Sequence, residues 1–176
     1  MGYINWIGKY ETSDSVLVTL LRKAGAVFYT KTSVPQTLMV CETVNNIIGR
    51  TVNPRNNNWS CGGSSGGEGA MVGIRGGVLG VGTDIGGSIR VPSAFNFLYG
   101  LKPSHGRLPY AKMANSMEGQ ETVHSVTGPI GHSAAGQFYS ALPSEKKKKK
   151  RGVKLTKDIR LATLHDFCSR GGTLEL

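Results

Sequence analysis

The chain has 176 residues, 39% of them hydrophobic, with 25 glycines and a formal net charge of +10. That length suits one domain, and no apolar run is long enough to span a membrane as a helix. The charge suggests nucleic acid or an acidic membrane, but it is unevenly placed: residues 1–143 carry 11 Lys and Arg against 7 Asp and Glu, and residues 144–176 carry 10 against 4.

The opening stretch, MGYINWIGKYETSD, lacks the basic flank and apolar core of a signal peptide, and Trp6 stands where a myristoylation pattern needs Ser or Thr. Without a secretory signal the sequon at Asn58 carries no weight. Cys41, Cys61 and Cys168 form no CxxC pair, which argues against a disulfide scaffold or a zinc site. A reduced, cytoplasmic setting is expected. Residues 13–25 predict a helix capped by Ser13 or Asp14, with Val16, Leu17, Leu20, Leu21 and Ala24 on one stripe and Gly25 at its exit. Residues 26–31 predict a short strand, stopped before Pro35 and lying beside a second strand at 78–83 in a mixed sheet.

Residues 43–61 are mostly turn formers and read as a long loop with its clearest break at Asn53 and Pro54. Ser65 and Glu68 have capping-box spacing at the head of a short helix. VLGVGTD then predicts a buried strand, and IGGSIRVPS a glycine turn with Ser88 at its tip. His105, His124, His132 and His165 show no metal-ligand spacing. The character changes near Ala135, so a folded part over 1–135 and a divergent basic tail over 136–176 are expected, the tail disordered with at most a short amphipathic helix over 158–170. The basic run at 146–151 has no interleaved aromatics to stack bases, so nucleic acid is not the expected partner.

Attack on an acyl carbon needs a hydroxyl that loses its proton, a base that takes it, and donors for the oxygen that becomes negative. Backbone N–H groups serve as such donors where no side chain obstructs the approach. The run DIGGS places several amides just before Ser88, and the glycine-flanked Ser64 lies 24 positions earlier.

The segments GGSSGGEGA and GVGTDIGGSIRVPS, in that order and at that spacing, closely resemble the signature of the amidase signature family of serine hydrolases. The flanks AGAVFYTKTSVPQTLM, GRTVNPRNNNWSCGGSSGG and FNFLYGLKPSHGRLPY resemble it too, most closely its fungal acetamidase-type members, over about residues 2–130. The resemblance implies an α/β fold: the central part of the family's mixed sheet flanked by helices, incomplete at both ends. It implies an amidase that cleaves a small-molecule carboxamide through a Ser-Ser-Lys triad, without cofactor or metal. Ser88 matches the nucleophile and Ser64 the bridging serine, which in the family follows a cis peptide. The amides of Ile85, Gly86, Gly87 and Ser88 match the oxyanion hole, and Thr83, Asp84 and Arg90 match residues that brace the loop.

The family's lysine falls before the segment matching this chain's start, and neither Lys9 nor Lys31 matches it, so weak or absent activity of this chain by itself is expected. GPIGHSAAG also lacks the arginine found in the family's corresponding motif. Two other readings stay open: a non-catalytic product of a truncated gene, and a nucleic-acid-binding protein driven by its basic tail. The G-x-S-x-G spacing around Ser64 also fits an α/β-hydrolase elbow, but RNNNWS is not the apolar strand that elbow needs.

Overall fold

The computed structural model describes residues 1–134. The disordered tail and short helix expected further on lie outside the described residues. The first helix, α1 (Val16–Lys23), is capped by Ser15, whose Oγ accepts the Val18 N–H at 3.3 Å. The cap therefore falls later than Ser13 or Asp14, and Asp14 pairs with Arg22 at 2.9 Å instead. Of the expected apolar stripe, Leu17 is buried while Val16 and Leu20 are exposed.

Residues 26–31 form no strand among the described residues, which corrects the sequence expectation. A strand needs a neighbour to take its backbone N–H and C=O groups. The apolar side chains here face outward, Val27 at 83% and Tyr29 at 65% exposure, and the Tyr29 hydroxyl donates to the Gly76 carbonyl. The long loop expected over 43–61 is also corrected. It folds as two antiparallel ribbons, β1 (Val44–Asn45) with β2 (Gly49–Arg50) and β3 (Val52–Asn53) with β4 (Asn56–Ser60). The asparagines close these turns themselves. Asn45 Oδ1 accepts the N–H groups of Ile47 and Ile48 at 3.0 and 2.8 Å, and Asn53 Oδ1 accepts that of Arg55 at 3.0 Å.

The remaining elements are α2 (Gly66–Gly73), β5 (Leu79–Asp84), α3 (Arg90–Phe95), β6 (Tyr99–Gly100) and β7 (Val126–Gly131). The last three strands form one sheet in the order β5-β7-β6, antiparallel throughout, with Leu79 opposite Gly131 and Asp84 opposite Val126. The strand neighbouring β5 is thus β7, not residues 26–31. Helix α2 packs on β5, β7 and α3, and α3 on β6, so the chain has the expected helix-and-sheet character. Val72, Ile89 and Ile130, each at most 1% exposed, make the apolar centre between these layers.

Strand β5 is buried on one face, not throughout. Gly80, Gly82 and Asp84 point inward while Leu79 and Val81 are 40% and 38% exposed. Helix α2 lies close enough to that inner face to require glycine. A Cβ on Gly82 would sit 2.8 Å from Ser65 Oγ and 3.0 Å from Ile89 Cγ1. The capping box does not form, because both of its side chains are turned toward the strand. Ser65 Oγ accepts the Thr83 N–H at 3.3 Å and donates to the Thr83 carbonyl at 3.4 Å. Glu68 accepts the Val81 N–H at 3.1 Å and the Thr32 hydroxyl at 2.6 Å.

This close approach predicts a contrast between two glycines. Gly82→Ala should cost about 1–3 kcal/mol through overpacking. Gly86→Ala, where a Cβ meets nothing within 4 Å, should leave stability within about 0.5 kcal/mol of wild type. Urea denaturation measures both, and equal losses would contradict the packing described.

Candidate active site

The site begins where β5 runs out. Asp84, its last residue, has a fully buried side chain whose two oxygens organise the next six residues. Oδ1 accepts the Gly87 N–H at 2.8 Å, and Oδ2 accepts those of Ile89 and Arg90 at 3.1 and 3.4 Å. The Arg90 guanidinium closes the ring in a two-pronged pair, Nε to Oδ2 and Nη2 to Oδ1, both at 3.0 Å. Gly87 sits at φ 142°, where a side chain is strained. The chain from 84 to 90 is thereby bent around one carboxylate, with Ser88 at its tip.

Burial by itself would raise the Asp84 pKa. The hydrogen bond from Arg90, the N–H groups of Ile89 and Arg90, and the Arg90 charge outweigh it and hold the carboxyl below its ordinary 3.8. Asp84 is therefore ionised near neutral pH.

Ser64 arrives from the other side. It follows β4 and precedes α2, and the peptide between Gly63 and Ser64 is cis, as the sequence resemblance implies. Gly63 admits the backbone of the preceding loop: its Cβ would lie 2.8 Å from the Val40 carbonyl oxygen. Strand β4 does stand before the G-x-S-x-G spacing, but it is polar and belongs to a two-stranded ribbon outside the main sheet. The two halves are joined by backbone, since the Ser65 N–H donates to the Ser88 carbonyl at 3.1 Å.

Ser64, Thr83, Ile85 and Ser88 form one wall of a cleft of about 310 Å³, counting its space open to solvent. Ser64 is 2% and Ser88 7% exposed, and among the described residues no hydrogen bond joins their hydroxyls. Asp84 and Arg90 hold the turn from behind. Gly86 is exposed and does not line the cleft, and the Gly87 N–H is engaged by Asp84, so of the four expected amide donors Ile85 and Ser88 belong to cleft-lining residues. The same cleft is also lined by residues that the sequence reading did not single out: Leu38, Met39, Tyr110, Asn115, Ser116, Met117 and Ser125. The one local signal for them is the left-handed backbone of Thr37 and Leu38, at φ 69° and 64°, which the sequence does not announce.

Other reactive groups stay apart from this cleft. Cys61 is buried, and burial raises its thiol pKa. The rings of His105 and His124 stack at 4.0 Å and so present faces rather than lone pairs to each other. No described helix is long and apolar enough to cross a membrane.

A family model described as Amidase matches residues 1–151. Acetamidase from Emericella nidulans is 88% identical over 133 residues, 76% of this chain and 24% of that protein. Acetamidase from Aspergillus oryzae is 78% identical over 134 residues, 76% of this chain and 25% of that protein. Among solved structures, a fatty acid amide hydrolase superposes with a TM-score of 0.79 at 41% identity, covering 88% of this chain and 28% of its own. This chain thus spans about a quarter of the length of the curated relatives it matches.

The lowered Asp84 pKa carries a pH signature. A carboxyl depressed on folding stabilises fully above its unfolded pKa, and that contribution is lost as pH falls through the lower folded value. Asp84→Asn should cost about 2–4 kcal/mol near neutral pH, because it strands backbone donors and breaks the pair with Arg90. The gap from wild type should narrow at about pH 2.5. Denaturation of both proteins at the two pH values checks this, and a gap that stays constant would contradict the assigned shift.

Proposed function

This chain belongs to the amidase family, and from that premise we propose that it carries the nucleophile and oxyanion site of an amide hydrolase. The observation that carries the reading is the meeting of Ser64 and Ser88 in the wall of one cleft, with the Ser88 turn held by Asp84.

Ser88 Oγ attacks the carbonyl carbon of the amide, and its proton passes to Ser64 Oγ as Ser64 gives its own to a base. The carbonyl oxygen becomes negative and meets the amides of Ile85 and Ser88. Donors of this kind are fixed before the reaction and need no reorganisation during it. Gly87 contributes by shape, its own N–H being used to hold the turn on Asp84. The C–N bond breaks as the nitrogen takes a proton back through the serines and leaves as ammonia or an amine. Water then attacks the acyl–Ser88 ester, the carboxylic acid departs, and both hydroxyls are restored. The scheme draws on no metal or cofactor.

The base is the lysine that the family resemblance implies. Among the described residues no lysine lines the cleft, and Lys9, Lys23, Lys31 and Lys112 are exposed to water. The step needs a neutral amine, which burial or like-charged neighbours produce. The chain as it stands is therefore proposed to acylate faster than it turns over, and to turn over amides slowly.

Two substrates separate these statements. An activated ester should acylate Ser88 in the wild-type chain, visible as an added acyl mass, and Ser88→Ala should not acquire it. Ser64→Ala should slow that acylation further, by roughly tenfold or less, because without the lysine Ser64 is only a hydrogen-bonding neighbour of the attacking hydroxyl and not part of a complete relay. Turnover of acetamide should be weak and should vanish in Ser88→Ala. Ordinary enzymatic rates on acetamide would show that a base within these residues is already in place. Acyl mass retained in Ser88→Ala would overturn the nucleophile assignment.

A further inference from the structure

Ser64 follows two glycines in succession, Gly62 and Gly63, whose backbone has the widest freedom of any residue. Where the Ser64 hydroxyl stands therefore depends on what grips the chain just ahead of it. The Gly62 N–H donates to Ser60 Oγ at 2.9 Å, and Asn96 Nδ2 donates to the Cys61 carbonyl at 2.8 Å. Gly63 lies against the backbone of residues 40–42, where a Cβ would meet the Val40 carbonyl oxygen at 2.8 Å and the Glu42 nitrogen at 3.0 Å. The Gly62 carbonyl, which belongs to the peptide joining the two glycines, is held by Thr43: the Thr43 hydroxyl donates to it at 2.8 Å.

We propose that Thr43 is a positioning residue for Ser64, its hydroxyl fixing the Gly62–Gly63 peptide so that Ser64 is presented to Ser88. The inference rests on the amide-hydrolase reading above and extends it to a residue outside the cleft. Thr43 is not among the cleft-lining residues, so any effect it has on the reaction passes through others.

The surroundings of Thr43 suit this role. Its side chain is fully buried, and its own carbonyl accepts the Thr51 N–H at 2.9 Å, which ties it to the start of the second ribbon. On the other side stands Gly66, the first residue of α2, where a Cβ would collide with the Thr43 hydroxyl. The hydroxyl is thus wedged between a ribbon and a helix, with the Gly62 carbonyl as its acceptor. The Cys61 thiol also reaches that carbonyl, but at 3.3 Å, and it lies nearer the Thr51 carbonyl at 3.1 Å. A thiol is a weak donor, so it does not replace a hydroxyl there.

The test is a double-mutant cycle on the full chain, with p-nitrophenyl acetate as the probe and acyl mass on Ser88 as the readout. Thr43→Val keeps the side-chain shape and removes the donor. It should slow acylation to within about twofold of the Ser64→Ala rate, and adding it to Ser64→Ala should change that rate by less than about twofold, the usual scatter of additive effects. Thr43→Ser keeps the hydroxyl and loses a methyl group, so it should lower the urea midpoint yet acylate at the wild-type rate. Thr43→Ala, which places no added atom against Gly66, carries the same cycle if the valine does not fit. Equal slowing by Thr43→Val with and without Ser64 would overturn the proposal, because Thr43 would then act by another route, such as Leu38 and Met39 on the same loop. Rates that follow the urea midpoint across the Ser, Ala and Val variants would overturn it too. A Ser64→Ala chain that acylates as fast as wild type would remove Ser64 from the step, and Thr43 with it. Acyl mass retained in Ser88→Ala has a different meaning: it sinks the hydrolase reading, and it is read without any change at Thr43.

Discussion

One buried carboxylate holds the site together. Asp84 closes β5 and then gathers three backbone N–H groups and the Arg90 guanidinium around its two oxygens. A group so placed would be costly to bury if any of these partners were missing, since burial disfavours its charge. With all of them present it fixes the backbone from residue 84 to 90 as a single bend. Ser88 sits at the tip of that bend because Asp84 holds the residues on both sides of it. Ile85 and Ser88, on the same bend, line the cleft.

The rest of the structure brings a second hydroxyl to that bend. Helix α2 must lie nearly in contact with β5 for Ser65 to grip Thr83 and for its N–H to reach the Ser88 carbonyl. Glycines at 80 and 82 make room on the strand, and Gly63 makes room for the loop at Val40. The abundance of glycine in this stretch therefore has a packing cause as well as a chemical one. Glu68 adds a tie from the helix to the strand backbone at Val81, which secures the edge of β5 that β7 does not cover. Few apolar side chains are fully buried, and the order of the site rests largely on these polar links.

What the sequence makes legible is local and patterned. The helix over Val16–Lys23, the short helix after Ser65 and the strand ending at Asp84 all carry a period or a stop signal, and all are present, although of the first helix's apolar stripe only Leu17 is buried. Asparagine-rich residues 43–61 mislead, because Asn45 and Asn53 satisfy turn backbones so well that they close ribbons instead of an open loop. Residues 26–31 have strand-like composition, but a ladder needs a partner, and composition does not supply one. The caps are misjudged for a similar reason: Ser65 and Glu68 have the spacing to serve their own helix, yet the strand alongside offers both a better partner. The remaining lining of the cleft carries no chemical motif, although Leu38, Met39 and Tyr110 fall in segments that resemble the family. Leu38, Met39, Tyr110 and residues 115–117 come from loops remote from one another in the chain, and only the fold brings them together. The engagement of the Gly87 amide by Asp84 is equally invisible, because which of four consecutive N–H groups a carboxylate takes depends on the bend it creates.

The claim that Asp84 preorganises the Ser88 bend can be read at the amides themselves. Hydrogen exchange should find the Gly87 and Ile89 N–H groups protected in the wild-type chain. In Asp84→Asn they should exchange at least about tenfold faster than the global loss of stability explains, with the α2 amides as the internal reference for that loss. Protection at Gly87 and Ile89 that falls only in step with α2 would contradict the account, because the bend would then be held by something other than this carboxylate.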